Sequence, residues 1–323
     1  MKKALLVGLT DYPGNELDWC DNDAIAMKEL IETNGDGSPN FETIILTGEC
    51  SKDKLLFGID KLFSDDAEIA LLYFSGHGSD EDGGYLCTTD FNDTGIFGVK
   101  MSDVLDIANR SKCKNRIIIL DCCFAGKMGV NLLDKNTSIL GEGVTIIAAS
   151  QTWQSSAEDS SLEHGVFTNL AIQGLKGGAA DIGGNITPAS LYSFVDQSLG
   201  AWEQRPVFKT NISRFLPIRT IQAKVPRAVL RKLSTYFTSP TAEFKLDPSF
   251  EFTNKPEEKH EIVEPYADEH NVAIFKNLQL FESVGLVEPV DEDYMYFAAM
   301  HSKGCKLTAL GLHYWKLSKD KRF

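Results

Sequence analysis

The chain has 323 residues, 43% of them hydrophobic and 24% charged, a balance that excludes a disordered chain and suits one large domain or two ordinary ones. A formal net charge of -14 weighs weakly against a protein built to grip phosphate backbones. No stretch approaches the ~20 apolar residues of a membrane span. The opening Met1-Lys2-Lys3 and the apolar run Ala4–Leu9 begin like a signal peptide, but Thr10, Asp11 and Pro13 interrupt the run too early. Seven cysteines, an odd number with Cys122 and Cys123 adjacent, read as reduced thiols and predict a cytoplasmic protein.

Strand-like and helical stretches alternate along the first two-thirds. Residues 3–9 form an apolar β run, 23–33 carry Ile25, Met27, Leu30 and Ile31 at helical spacing, 41–47 are β-like and 52–63 helical. The continuous apolar runs 67–74, 116–120 and 144–149 predict parallel strands buried on both faces. Helices are expected over 167–175 and 188–199. This alternation predicts an α/β/α sandwich with a mostly parallel sheet, whose active site lies beyond the carboxyl ends of the strands.

After about Ala223 the texture changes. Pro240, Pro248, Pro256 and Pro265 predict an irregular connector over residues 223–265. Residues 266–323 then predict a small α+β domain: a helix over 272–284 ending at Gly285, a strand over 294–300, a turn at Lys303-Gly304, a return strand through Cys305-Lys306-Leu307, and a helix over 309–317 capped by Thr308. With Gly285-Leu286-Val287 and Leu307-Thr308-Ala309-Leu310-Gly311, this pattern resembles the end of a winged-helix domain.

Two segments place reactive side chains just past a buried strand: Leu72-Tyr73-Phe74-Ser75-Gly76-His77-Gly78 and Ile119-Leu120-Asp121-Cys122-Cys123-Phe124-Ala125-Gly126. If the strands are neighbours, His77 and Cys123 stand together at the sheet rim. A thiolate nucleophile with an adjacent imidazole is the core of a cysteine hydrolase. The backbone N–H groups of Gly78 and Cys123 are the candidate oxyanion hole. Either residue alone is more often a buried thiol or a turn histidine; their joint placement favours chemistry.

These segments resemble the His and Cys motifs of the caspase/metacaspase peptidases, from residue 1 to about residue 220. Ala148-Ala149-Ser150-Gln151, Gly165-Val166-Phe167-Thr168 and Gln204-Arg205-Pro206-Val207 resemble later landmarks of bacterial members. The resemblance implies a caspase-haemoglobinase-like fold, a cysteine endopeptidase, and Cys123 as nucleophile, with Cys122 on the opposite face by strand alternation. Alternation also puts Ser75 beside His77 and Asp121 beside Cys123. In metacaspases the matching Ser and Asp, with an Asp from an early Asn-Asp-Ala segment, here Asn22-Asp23-Ala24, form an acidic pocket for Arg or Lys. Cleavage after Arg or Lys is therefore expected, with Asp23, Ser75 and Asp121 as substrate-binding residues; Asp23 is also a candidate helix N-cap.

The chain departs from the metacaspase pattern at Phe124-Ala125, where His-Ser is usual. Asp90 and Asp103 match two positions of the family's calcium site, but Ser102 and Val130 stand where carboxylates belong, and a hard cation takes six or more oxygens. No cofactor is therefore expected, calcium being the weak candidate. The run Asp80-Glu81-Asp82 reads as a solvated loop. Lys127 and Lys135, in a segment resembling the family's processing loop, are candidate self-cleavage points.

From Pro226 onward, 13 Lys and Arg face 15 Asp and Glu. That near-neutral balance favours recruitment of a protein partner over binding of nucleic acid, the basic run Lys316, Lys319, Lys321 and Arg322 suiting a solvated helix end. The resemblance implies a role in antiviral defence or regulated cell death. The alternatives are a catalytically silent scaffold and a winged-helix nucleic-acid-binding regulator.

Overall fold

The computed structural model describes residues 1–91, 97–130, 139–149, 158–159, 163–199, 205–253, 263–265 and 267–323. The chain divides into two compact units, Met1–Gln222 and Ala223–Phe323.

In the first unit β1 (Lys2–Gly8), α1 (Cys20–Glu32), β2 (Glu42–Thr47), α2 (Lys52–Ser64) and β3 (Ile69–Ser75) follow in turn. Three short strands, β4 (Gly78–Ser79), β5 (Tyr85–Leu86) and β6 (Val99–Lys100), form a separate antiparallel sheet ahead of α3 (Met101–Arg110). The chain continues through β7 (Asn115–Asp121), β8 (Val144–Ala148), β9 (Glu158–Asp159), β10 (His164–Gly165), α4 (Val166–Gln173), β11 (Asn185–Ile186), α5 (Pro188–Ser198), β12 (Val207–Asn211) and β13 (Arg219–Thr220).

The central sheet has six strands in the order β12-β8-β7-β3-β1-β2. Every pairing is parallel except that of β12, which runs antiparallel to β8 at one edge. β3 and β7 lie mid-sheet, and apart from the half-buried Asn115 their residues are buried, as continuous Ile, Leu and Phe runs require of strands covered on both faces.

The pleat sorts these side chains into two cores. Ala70, Leu72, Phe74, Ile118 and Leu120 pack with α2 and α3, while Ile69, Leu71, Tyr73, Ile117 and Ile119 pack with α1, α4 and α5. Each fully buried Ile, Leu or Phe contributes about 1.5–3 kcal/mol.

Caps set the helix starts. Ser51 Oγ accepts from Lys54 N at the head of α2, and Thr187 with Ser190 forms a capping box at α5, with Pro188 at the first helical position. Helix α3 stands where the sequence reading assigns no element, although its buried Met101, Val104, Leu105 and Ala108 carry helical spacing.

The second unit contains α6 (Arg227–Leu230), α7 (Leu233–Tyr236), β14 (Glu243–Lys245), α8 (Glu269–Ser283), β15 (Val287–Val290), α9 (Met295–Met300), β16 (Gly304–Leu307) and α10 (Ala309–Lys319). Its sheet is antiparallel in the order β14-β16-β15.

Two expectations are corrected here. Residues 294–300, read as a strand, form α9: Met295, Ala298 and Ala299 are buried at i, i+3 and i+4, and only Tyr294 is extended. The strand that pairs with β16 is β15, so a helix occupies the connection where a wing was expected. Residues 223–265, read as a connector, also supply folded elements: β14 pairs with β16, and Trp315 Nε1 donates to Phe237 O at 2.6 Å. Thr308 caps α10 as expected, accepting from Gly311 N at 3.0 Å.

Candidate active site

The two reactive segments leave the sheet side by side. β3 and β7 are adjacent and parallel, with Ser75 opposite Asp121, so His77 and Cys123 each lie two residues beyond neighbouring strand ends. The segments touch through backbone. Gly76 N donates to Asp121 O at 3.3 Å, and a Cβ on Gly78 would lie 2.1 Å from Cys123 O. Only glycine fits there, and it lets the turn after the imidazole close onto the carbonyl of the candidate nucleophile.

His77 is held from both sides. Its ring Nε2 lies 2.7 Å from Asn15 O; a carbonyl only accepts, so Nε2 carries the proton and Nδ1 the lone pair of the neutral ring. Its backbone N donates to the Tyr12 hydroxyl at 3.1 Å, and that hydroxyl donates to Cys87 O at 3.1 Å. The Tyr12 ring packs edge-on against the imidazole at 4.6 Å. Burial raises the Tyr12 phenol well above its usual range, so it stays neutral.

Alternation separates the adjacent thiols. Cys122 is fully buried in the α2/α3 core, whereas Cys123 is half-buried. Burial raises the Cys122 thiol well above its usual value, reinforced by Cys123 and Asp121, and pushes Cys87 up to about 12. Neither supplies a thiolate at neutral pH. The described residues include all seven cysteines, and these form no disulfide.

On the α1/α4 side of the rim, the three polar residues expected to bind substrate come together, all buried: Asp23 at 1%, Ser75 at 2% and Asp121 at 4% exposure. Asp23 lies in the first turn of α1, not at its cap, which is Trp19. Its carboxylate accepts from Ser75 Oγ at 2.9 Å, from His164 Nδ1 at 2.8 Å and from Gly165 N at 3.3 Å. Asp121 Oδ2 accepts from Thr168 Oγ1 at 2.7 Å and Thr168 N at 3.2 Å. Since the Thr168 proton goes to Asp121, Tyr73 must donate to Thr168 Oγ1, 2.6 Å away. Burial, with the fields of Asp23 and Asp121, keeps the Tyr73 phenol neutral.

Gly165 lies between the carboxylates, a Cβ there falling 2.5 Å from Asp121 Oδ2 and 3.3 Å from Asp23 Oδ2. Burial lowers the His164 pKa, so at neutral pH the ring is an uncharged donor to Asp23. The two carboxylates therefore share a low-dielectric space with neutral donors.

Tyr12, Asn15, His164 and Thr168 escape the sequence reading. Thr168 stands in the landmark Gly165-Val166-Phe167-Thr168 and His164 adjoins it, so a signal existed. For Tyr12 and Asn15, which follow β1, nothing local points to a histidine more than sixty residues away.

The remaining candidates separate. Asp90 accepts from Lys52 N at 3.1 Å and Thr88 Oγ1 at 2.6 Å, serving the start of α2. Asp103 lies in the first turn of α3. Among the described residues no group of three or more His, Cys, Asp or Glu could hold a metal ion. The run 80–82 is tied down at both ends: Lys127 Nζ bonds Asp80 O at 2.8 Å, and Lys100 pairs with Asp82. Lys127 sits in a 3-10 turn over 125–127. Lys135, Ser150, Gln151 and Gln204 lie outside the described residues.

A mostly parallel sheet with helical layers on both faces is an α/β fold whose sites lie beyond the carboxyl ends of the strands, where His77 and Cys123 follow the adjacent β3 and β7. Residues 1–216 match the family model described as Caspase domain. The chain belongs to that family of cysteine-type peptidases. No curated protein matches the chain. Among the described residues, no helix is long and apolar enough to cross a membrane.

Proposed function

We propose that this protein is a cysteine endopeptidase that cleaves after Arg or Lys with Cys123 and His77. The Cys123 thiolate adds to the scissile carbonyl carbon, and the oxyanion is met by the N–H groups of Gly78 and Cys123. Collapse breaks the C–N bond as the imidazolium of His77 protonates the departing nitrogen. Water, deprotonated by His77, then cleaves the thioester and regenerates the thiol. The Asn15 carbonyl fixes the ring so that one nitrogen is committed and the other moves the proton.

The carboxylates of Asp23 and Asp121 select the cation. A guanidinium or ammonium makes charge-assisted hydrogen bonds with them, stronger than those of a neutral donor, and takes the place of His164 at Asp23. An aspartate side chain in the same space would meet like charge.

The observation that carries this reading is the register of β3 against β7, which sends both segments off one rim and closes Gly78 onto Cys123. The test is hydrolysis of fluorogenic peptides that differ only in the residue before the scissile bond. Turnover of Arg and Lys peptides, abolished by Cys123→Ala, is expected. A preference for Asp refutes the specificity, and turnover that survives Cys123→Ala refutes the mechanism.

For the second unit we propose recruitment of a protein partner, on its near-neutral charge of 13 basic against 15 acidic residues from Pro226 onward. A salt-dependent shift of duplex DNA by the full chain would instead favour nucleic-acid binding.

A further inference from the structure

We propose that the site carries a preformed apolar pocket on its leaving-group side, which selects a large apolar side chain, aromatic or long aliphatic, on the residue just after the scissile bond. This rests on the peptidase reading above and adds a second specificity to it.

A cleft of about 390 Å³ opens beside His77, walled by Tyr12, Pro13, Phe91, Phe97 and Phe124. That is a volume for one large side chain with its backbone, at the small end of ligand pockets. Its position on the reaction path follows from two observations. First, Asp23, Ser75 and Asp121 lie toward the α1/α4 layer, whereas Tyr12 and Cys87, which bound the cleft, belong to the α2/α3 core. The cleft and the acidic group thus occupy opposite sides of the rim. Second, His77 is itself part of the cleft wall. The group that protonates the departing nitrogen must stand next to the residue carrying it. The acyl half, with its Arg or Lys, takes the carboxylate side, and the leaving half crosses His77 into the aromatic cleft.

The walls are held in place before any substrate arrives. Phe97 packs on Tyr85 at 5.5 Å and on Phe91 at 5.9 Å. Phe124, in the left-handed region at φ 57, has Lys127 Nζ 5.5 Å above its ring, and that ammonium is anchored on Asp80 O at 2.8 Å. Tyr12 is fixed by its bonds to His77 N and Cys87 O. Little ordering remains to be done on binding, which favours rigid apolar occupants. Asp80 and Glu81 also line the cleft and oppose an acidic residue there.

The test uses internally quenched peptides with Arg fixed before the scissile bond and Phe, Leu, Gly or Glu after it, on the full chain. A parallel measurement, inactivation by a peptidyl-arginine chloromethyl ketone, reports Cys123 and the acidic side without a leaving residue. Phe and Leu peptides are expected to exceed Gly and Glu in kcat/KM by roughly 10- to 200-fold. Phe97→Ala should collapse that ratio, and the milder Phe91→Ala, at a more exposed wall, should lower it. Efficient chloromethyl ketone labelling and Arg cleavage with no preference among the four peptides would overturn the pocket and leave the peptidase reading standing. A wild type that neither cleaves nor is labelled would overturn both. An unchanged ratio in folded Phe97→Ala and Phe91→Ala would also overturn the pocket.

Discussion

Replacing Gly78 by alanine tests the candidate site at the point where its two segments meet. The added Cβ would sit 2.1 Å from Cys123 O, 3.1 Å from Cys123 C and 3.3 Å from Cys122 Sγ. Two of these atoms are backbone, and the third belongs to a fully buried side chain, so no rotamer change relieves the overlap. The turn after His77 must instead back away from Cys123 by about 1 Å, and misplacement on that scale costs on the order of 10²-fold in rate. Overpacking adds a stability loss of about 1–3 kcal/mol. The loss in stability is the smaller effect in consequence, because Cys87 N, just past β5, still donates to His77 O at 3.0 Å. The assay is kcat/KM on an Arg peptide beside a thermal melt. The expected variant melts somewhat lower, remains folded at 25 °C, and is nearly inactive. A folded Gly78→Ala protein as active as wild type would refute the idea that this close approach shapes the oxyanion site.

Three other outcomes are expected. Iodoacetamide should alkylate Cys123 and spare Cys122 and Cys87, whose thiols burial holds protonated; Cys122→Ala should retain turnover that Cys123→Ala abolishes, and equal labelling of the vicinal pair would refute their separation by the pleat. Asp121→Asn should lower kcat/KM on Arg and Lys peptides by roughly 10²-fold and flatten the preference over neutral residues, and an unchanged preference would remove Asp121 from the cation site. His164, whose pKa burial lowers from the ordinary 6.5, binds fewer protons folded than unfolded; its contribution to stability is therefore intact above about pH 6.5 and lost as pH falls below it. Urea melts of wild type and His164→Gln across that range should show a shallower pH slope in the variant, and parallel slopes would refute the assignment.

The residues of β3 and β7 show why so much of the centre is legible. Their uninterrupted Ile, Leu and Phe runs need cover on both faces, and only mid-sheet parallel strands supply it. The pleat has a period of two, so once Asp121 is placed on one face Cys122 must point into the opposite core. The Met295–Met300 helix shows where reading fails. Six residues rich in Tyr, Phe and Met satisfy strand and helix alike, and the buried contacts of Met295, Ala298 and Ala299 settle the matter. Residues 223–265 read as a connector for a related reason: β14 is three residues long, and its partner β16 lies about sixty residues further on.

Local order along the chain therefore determined the strands, their burial and the paired reactive motifs, because hydrophobic periodicity and strand-end glycines are short-range properties. Tertiary structure alone decided what surrounds those motifs. The Asn15 carbonyl at His77, His164 and Thr168 at the buried carboxylates, and the aromatic cleft are contacts between segments tens of residues apart. Hydrogen bonds and side-chain packing act over a few ångströms of space and carry no imprint of distance along the chain.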